Sequence, residues 1–207
     1  MTFKNRFCCE NLTSGFEKNK TKTLSFDLFT NQHLTIQGQS GSGKSTILKV
    51  LATLFPKKSG KLFWNDQEIT TANFAYWRQK INYLPQEPVM GAISIYEALM
   101  LPWQLNIIKQ QKPDKKYLKS MLSEFGFDQI DLDKEVKLLS GGEKQRICFI
   151  RGSLMKRPIW LLDEPTSALD RELTLLLIKH LKSQNVLSIS ISHDPLWINA
   201  FKHVHIM

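Results

Sequence analysis

Gly38-Gln-Ser-Gly-Ser-Gly-Lys-Ser-Thr46 fits the pattern G-x-x-x-x-G-K-[ST], with Gly38 and Gly43 as the fixed glycines, Lys44 as the lysine and Ser45 as the hydroxyl. Before it, His33-Leu-Thr-Ile-Gln37 alternates polar and apolar as a strand does. After it, Ile47, Leu48, Val50, Leu51 and Leu54 recur at helical spacing. A loop of this kind needs that strand–loop–helix context. Its glycines let main-chain N–H groups turn inward on phosphate oxygens, and the helix N-terminus adds partial positive charge. In that frame Lys44 reaches β- and γ-phosphates, and Ser45 ligates Mg²⁺.

Working outward, residues 3–9, 23–29 and 33–38 read as short strands, with Lys18-Asn-Lys-Thr-Lys22 as a polar turn between the first two. The helix after the loop runs to about Leu54 and is ended by Pro56-Lys-Lys-Ser-Gly60. Lys61-Leu-Phe-Trp64, Asn65-Asp66 and Gln67-Glu-Ile69 make a tight hairpin, because Asn-Asp suits the turn positions. A short helix from Phe74 to Gln79 leads to the strand Ile81–Leu84, which ends at Pro85-Gln86.

Residues 87–138 carry helical patterns and no convincing strand. Ser94 and Glu97 form a capping box that opens a helix through Leu101, with Pro102 marking its end or a kink. A second helix starts near Pro113, packs Tyr117, Leu118, Met121, Leu122 and Phe125 on one face, and stops at Gly126. The pattern predicts an inserted α-helical subdomain. Alternation of strand and helix then resumes. Ser140 and Glu143 cap a long helix, and Ile159-Trp-Leu-Leu162 is apolar throughout, as a central parallel strand covered on both faces must be. A helix from about Arg171 to Ser183, a strand from Val186 to Ile191, a short helix and a strand-like His203-Val-His-Ile-Met207 follow. The expected architecture is a three-layer α/β domain with a mostly parallel sheet.

At 207 residues, 42% hydrophobic and 23% charged, the chain is an ordinary globular protein of one large domain. No apolar run reaches bilayer-spanning length, and Met1–Arg6 lacks the apolar core of a secretory signal, so a cytosolic location is expected. Cys8, Cys9 and Cys148 have no zinc spacing and read as small apolar residues. The net charge of +9 is spread out. Its densest patch, Lys109, Lys112, Lys115, Lys116 and Lys119, lacks interleaved stacking aromatics beyond Tyr117, and no nucleic-acid partner is expected.

The chemistry is narrowed by Asp163-Glu164 at the end of the apolar strand, at the carboxyl edge where ligands of α/β folds bind. Asp163 can hold Mg²⁺ together with Ser45, and Glu164 is placed to polarise the water that attacks a γ-phosphate. Gly141 and Gly142, following Ser140 at a helix N-terminus, form a second anion-binding end that one nucleotide cannot easily share with the first.

Leu139-Ser-Gly-Gly-Glu-Lys-Gln-Arg146 resembles the signature motif of the ATP-binding cassette (ABC) ATPases. Gly38–Thr46 resembles their Walker A and Ile159–Glu164 their Walker B with its catalytic Glu. Ser167-Ala-Leu-Asp170 resembles the D-loop, Gln86 the Q-loop and His193 the switch histidine. These motifs occur in the family's order from residue 38 to residue 193. The resemblance implies a P-loop NTPase (RecA-like) core, an N-terminal antiparallel β subdomain and the helical insertion. One ABC ATPase domain would span 1–207, with 1–86 and 139–207 as the nucleotide-binding core and 87–138 as the insertion. ATP and Mg²⁺ are the implied cofactors. Ser40, Gly41, Ser42 and Thr46 join Gly38, Gly43, Lys44 and Ser45 around the phosphates, and Phe16 stands where the family often stacks an aromatic, usually Tyr, on adenine. Ser140, Gly141, Gly142 and Asp170 would serve the site of a second copy in a head-to-tail ATP-sandwich homodimer. Gln86 would contact metal and water, with Glu164 and His193 catalytic.

A lone cassette without membrane span or coiled-coil insertion suggests a homodimer that drives a separate transmembrane permease from the cytoplasmic face. Tyr96-Glu-Ala-Leu-Met-Leu-Pro-Trp-Gln104, Lys112-Pro-Asp114 and Trp77-Arg-Gln-Lys-Ile-Asn-Tyr83 look like the FetA/YbbL type, which implies iron or metal export. The alternative is a soluble ABC ATPase module regulating a protein or nucleic-acid partner.

Overall fold

The computed structural model describes residues 5–17, 23–105, 108, 112–127, 129–201 and 203–206. The start of the first expected strand, the Lys18–Lys22 turn, Lys109 and Met207 lie outside them.

Two sheets organise the chain. The first is antiparallel, in the order β2 (Leu24–Phe29), β1 (Arg6–Thr13), β4 (Ser59–Trp64), β5 (Gln67–Glu68). The turn between β4 and β5 places Asn65 and Asp66 at φ 48° and 66°, which is why Asn-Asp suits it. β1 runs four residues past the expected Cys9 to Thr13, because β4 on its other side pairs with it up to Thr13 across an irregularity in register. Gly60 (φ 93°) sits at that crossing, where a Cβ would lie 2.5 Å from Leu12 Cα.

The second sheet is parallel throughout, in the order β6 (Ile81–Leu84), β7 (Ile159–Asp163), β8 (Leu187–Ile191), β3 (His33–Gln37), β9 (His203–Ile206). Every residue of β7 and β8 is buried. Alternation along β7 divides the interior. Ile159 and Leu161 join Phe7, Ile47, Leu48 and Leu51 in one core, while Trp160 and Leu162 join Phe149, Leu177 and Leu181 in the other. Helix α1 (Lys44–Leu51) therefore lies between the sheets, and α5 (Gly141–Leu154) and α6 (Arg171–Ser183) cover the far face. This is a mixed α/β fold built on one antiparallel and one parallel sheet.

Helix α1 ends at Leu51 rather than about Leu54. Thr53 turns left-handed (φ 55°), and α2 (Phe74–Arg78) takes the freed carbonyls: Trp77 Nε1 donates to Leu51 O (2.9 Å) and Arg78 Nη2 to Thr53 O (2.7 Å). Helix α3 (Ile95–Gln104) opens on the Ser94/Glu97 capping box and continues through Pro102, so that of the two readings, an end or a kink, the proline does not end it. α4 (Lys115–Glu124) starts at the Asp114 cap and ends before Gly126 (φ 75°). Its buried face holds Leu118, Met121 and Leu122, with Phe125 just after it; Tyr117, expected on that face, is 47% exposed. One turn separates it from Met121, but its side chain sits at the rim. α7 (Pro195–Ala200) closes the sequence of helices, capped by Asp194.

Candidate active site

The loop from Gly38 to Gly43 joins β3 to α1 at the carboxyl edge of the parallel sheet. Gly41 (φ 71°) and Gly43 (φ 93°) take backbone conformations that a side chain disfavours, and a Cβ on Gly43 would lie 3.1 Å from Phe16 O. The loop thus rests directly on the segment Ser14–Glu17. That segment is held by Glu17, whose carboxylate accepts from Ser14 N (2.6 Å), Ser14 Oγ (2.9 Å) and Gly15 N (2.9 Å). Burial pushes the Glu17 carboxyl up, but these hydrogen bonds outweigh it and hold the group below its ordinary value.

Lys44 is buried, and its Nζ donates to Gly38 O (2.7 Å) and Gln39 O (2.9 Å), folding the ammonium back over the loop. Its partners are uncharged carbonyls, so the charge is hydrogen-bonded but not neutralised there. Next to it, Ser45 Oγ donates to Asp163 Oδ1 at 3.1 Å. Burial at the end of β7 pushes the Asp163 carboxyl up, opposed by the Ser45 hydrogen bond and then by Lys49 and Lys44. Burial also pushes Glu164 up, opposed by the charge and main-chain N–H of His193. His193 Nε2 stands 3.6 Å from Glu164 Oε1. Glu164 itself has φ 49°, a conformation that costs a non-glycine residue about 1–3 kcal/mol and persists only where its neighbours impose it.

These groups line one cavity of about 540 Å³. Of the residues singled out from sequence, Phe16, Ser40, Gly41, Gly43 to Thr46, Gln86, Asp163, Glu164 and His193 all face it. Phe16 is 61% exposed at its mouth, with its ring edge-on to Phe55 at 5.6 Å. Gly38 and Ser42 belong to the loop without lining the cavity. Ser42 Oγ is buried and lacks a hydrogen-bond partner among the described residues. Ser140, Gly141, Gly142 and Asp170 also lie outside the cavity. Ser140 Oγ accepts from Glu143 N (3.2 Å), its N–H donates to Glu143 Oε2 (2.7 Å), and Asp170 caps α6 through Leu173 N (2.9 Å).

Sequence reasoning did not single out Ile191, which ends β8 beside Glu164, nor the buried Gln145 on α5. The carboxyl end of a buried strand was a usable signal for Ile191. For Gln145 the signal was its place inside the Leu139–Arg146 motif, although a glutamine inside a helix otherwise reads as exposed.

The donor set fits a triphosphate with a divalent cation. A loop of inward-turning backbone, an ammonium matched by carbonyls alone and an orphaned hydroxyl suit anionic oxygens. A hydroxyl and a carboxylate side by side suit a hard cation that keeps waters and takes phosphate oxygens for its remaining ligands.

The profile of the ABC transporter family matches residues 21–167. The chain is 34% identical over 180 residues to the Probable iron export ATP-binding protein FetA of Escherichia coli K12, covering 85% of this chain and 79% of that protein. It is 30% identical over 186 residues to the molybdate/tungstate import ATP-binding protein WtpC of Methanocaldococcus jannaschii, covering 89% of this chain and 61% of that one. A solved dimeric ATP-binding cassette in a post-hydrolysis state, bound to ADP and Pi, matches with a TM-score of 0.81 at 20% identity, over 97% of this chain and 94% of the other. An ATP-bound bacterial Atm1-family ABC exporter matches at 0.84 and 22%, over 100% of this chain and 38% of the exporter. At those identities, the structural matches speak to the fold.

Proposed function

The chain belongs to the ABC transporter family, and from that premise we propose that it is the ATP-hydrolysing subunit of a membrane transporter. The observation that carries this reading is the single cavity in which Lys44, the Ser45–Asp163 pair and the Glu164–His193 pair converge. The N–H groups of the Gly38–Gly43 loop and Lys44 bind the phosphates. Ser45 and Asp163 would hold Mg²⁺, which when bound would offset charge on the phosphate oxygens. Glu164 accepts a proton from the attacking water, and its raised affinity for protons, caused by burial, suits that task. His193 orients the Glu164 carboxylate and reports on the γ-phosphate. Gln86, just past the end of β6, lines the same cavity and would contribute to holding the metal there.

Ser140 to Gly142 and Asp170 complete the site of a second copy, and their position outside this chain's own cavity supports that assignment. ATP then closes a homodimer and hydrolysis releases it, because the γ-phosphate held by both halves is cleaved from the nucleotide and leaves as inorganic phosphate. Among the described residues no helix is long and apolar enough to cross a membrane. A separate permease supplies the spans and places the chain at the cytoplasmic face. Residues 87–138 form the insertion that meets it. Val89, Ile93 and Leu105, 64%, 72% and 60% exposed, support a docking surface there. Iron or metal export rests on the similarity to the FetA protein.

Glu164→Gln should abolish most turnover while ATP shifts the chain from monomer to dimer on size exclusion. A variant that stays monomeric and turns over normally sinks the mechanism. Co-purification of a multi-span protein from detergent-solubilised membranes, and metal flux in vesicles bearing that complex, test the transport reading.

A further inference from the structure

We infer that Gln145 is a positioning residue that fixes the main chain beneath the Glu164 carboxylate and ties it to the signature end of α5. The inference rests on the reading of Glu164 as the general base. Gln145 lies in α5 just after Ser140–Gly142, is 5% exposed, and uses both ends of its amide. Nε2 donates to Glu164 O at 2.9 Å, and Oε1 accepts from Ala168 N at 3.4 Å. Glu164 N in turn donates to Ile191 O at 3.0 Å. The peptides on both sides of the left-handed Glu164 (φ 49°) are therefore held, one from β8 and the other from α5, with Ser167 N also donating to Glu164 O at 3.3 Å. A non-glycine residue keeps such a conformation only when its surroundings over-determine it, and the direction of its side chain follows from it.

The contact leaves no slack. A Cβ on Gly142 would lie 2.5 Å from Ala168 O, so the first turn of α5 rests directly on the segment between Glu164 and Asp170. Gln145 is the side chain that spans this seam at both ends. A shift of the α5 N-terminus, the end proposed to touch the partner copy's nucleotide, reaches the Glu164 backbone through one buried amide. The hydrolytic carboxylate of one site is thereby sensitive to what its own chain touches at the other.

The test uses the full chain and MgATP. Gln145→Leu removes both hydrogen bonds. Gln145→Glu is near-isosteric and keeps an acceptor for Ala168 N, but when ionised has no donor for Glu164 O. Both should lower kcat about 10- to 100-fold, the scale of an ångström-level misplacement of a reacting group. KM and affinity for a non-hydrolysable ATP analogue should stay within about threefold, since the phosphate loop is untouched. Wild-type kcat in both variants overturns the inference, as does a loss of kcat matched by an equal loss of nucleotide affinity. Glu164→Gln is run alongside. If it still turns over at the wild-type rate, the base assignment fails and takes this inference with it. If it is inactive while both Gln145 variants are normal, only the positioning role fails.

Discussion

Arg151 Nη1 donates to Ala98 O at 3.3 Å, the carbonyl that Pro102, four residues on in α3, has no N–H to serve. The same guanidinium donates to Met90 O at 2.9 Å and Val89 O at 2.7 Å. One side chain of α5 thus lets α3 run through its proline and pins the segment that leaves Gln86. Arg151→Met should destabilise the chain by about 1–3 kcal/mol, the cost of stranding buried carbonyls. Pro102→Ala restores the helical donor to Ala98 and should recover part of the loss in the double variant. Urea denaturation of the four chains measures this. Strict additivity of the two substitutions would refute the link.

Lys44→Ala removes the ammonium that now bonds two loop carbonyls. Its kcat/KM for MgATP should fall about 10²- to 10³-fold, the scale for deleting one donor aimed at developing charge. Ser45→Ala removes the hydroxyl from the metal position and leaves Asp163 and Gln86 there, and the Mg²⁺ needed for half-maximal turnover should rise about 10- to 100-fold. Steady-state assays across Mg²⁺ concentration separate the two effects, and an unchanged Mg²⁺ requirement in Ser45→Ala would remove Ser45 from the site.

Burial, only partly opposed by Ser45, Lys49 and Lys44, keeps the Asp163 carboxyl above its ordinary 3.8. Because the folded value is raised, the native chain binds more protons than the unfolded chain between 3.8 and that raised value. Stability therefore falls as pH rises through this window, and at neutral pH the ionised carboxylate opposes folding. Asp163→Asn should raise the Tm of the nucleotide-free chain at pH 7 and flatten its pH dependence. Calorimetry that finds Asp163→Asn less stable at neutral pH refutes the sign. The gain should vanish with MgATP, where the carboxylate is needed.

Gly152 of α5 packs on Asn82 of β6 so closely that a Cβ would overlap the Asn82 amide, whose Nδ2 is buried without a partner among the described residues. Gly152→Ala alone should destabilise. Asn82→Ala should be neutral or stabilising, because it deletes an unsatisfied donor. Together they should exceed wild type by about 0.5–1 kcal/mol, the helix gain of Ala over Gly. Thermal melts of the set decide, and a double variant no better than Gly152→Ala would refute the packing account.

The elements legible to the residue were those with local punctuation. β6 has Gln86 and Pro85 after it, and α6 has its Asp170 cap, so Ile81–Leu84 and Arg171–Ser183 matched their expected limits. Limits set by distant partners were misjudged or left open. The end of α1 depends on Trp77 and Arg78, the length of β1 on β4, and passage through Pro102 on Arg151. The same division holds in the site. The phosphate-loop residues, Asp163, Glu164 and His193 sit in contiguous patterns, whereas Gln145, though inside the Leu139–Arg146 motif, acquires its place beside Glu164 only through hydrogen bonds reaching 19 and 23 residues along the chain.

By itself, the sequence determined the phosphate loop, because the glycines that permit its backbone, the strand before it and the helix after it are all local. It also determined the family, since the motifs are contiguous and ordered. Only the tertiary structure decided which of those motifs meet. The parallel order β6-β7-β8-β3-β9 brings Ser45 to Asp163 across 118 residues and His193 to Glu164 in one cavity, and leaves Ser140–Gly142 outside it. Strand order is fixed by the burial of both faces of β7 and β8 between α1 and the α5–α6 layer, a packing condition over the whole chain that no local pattern carries.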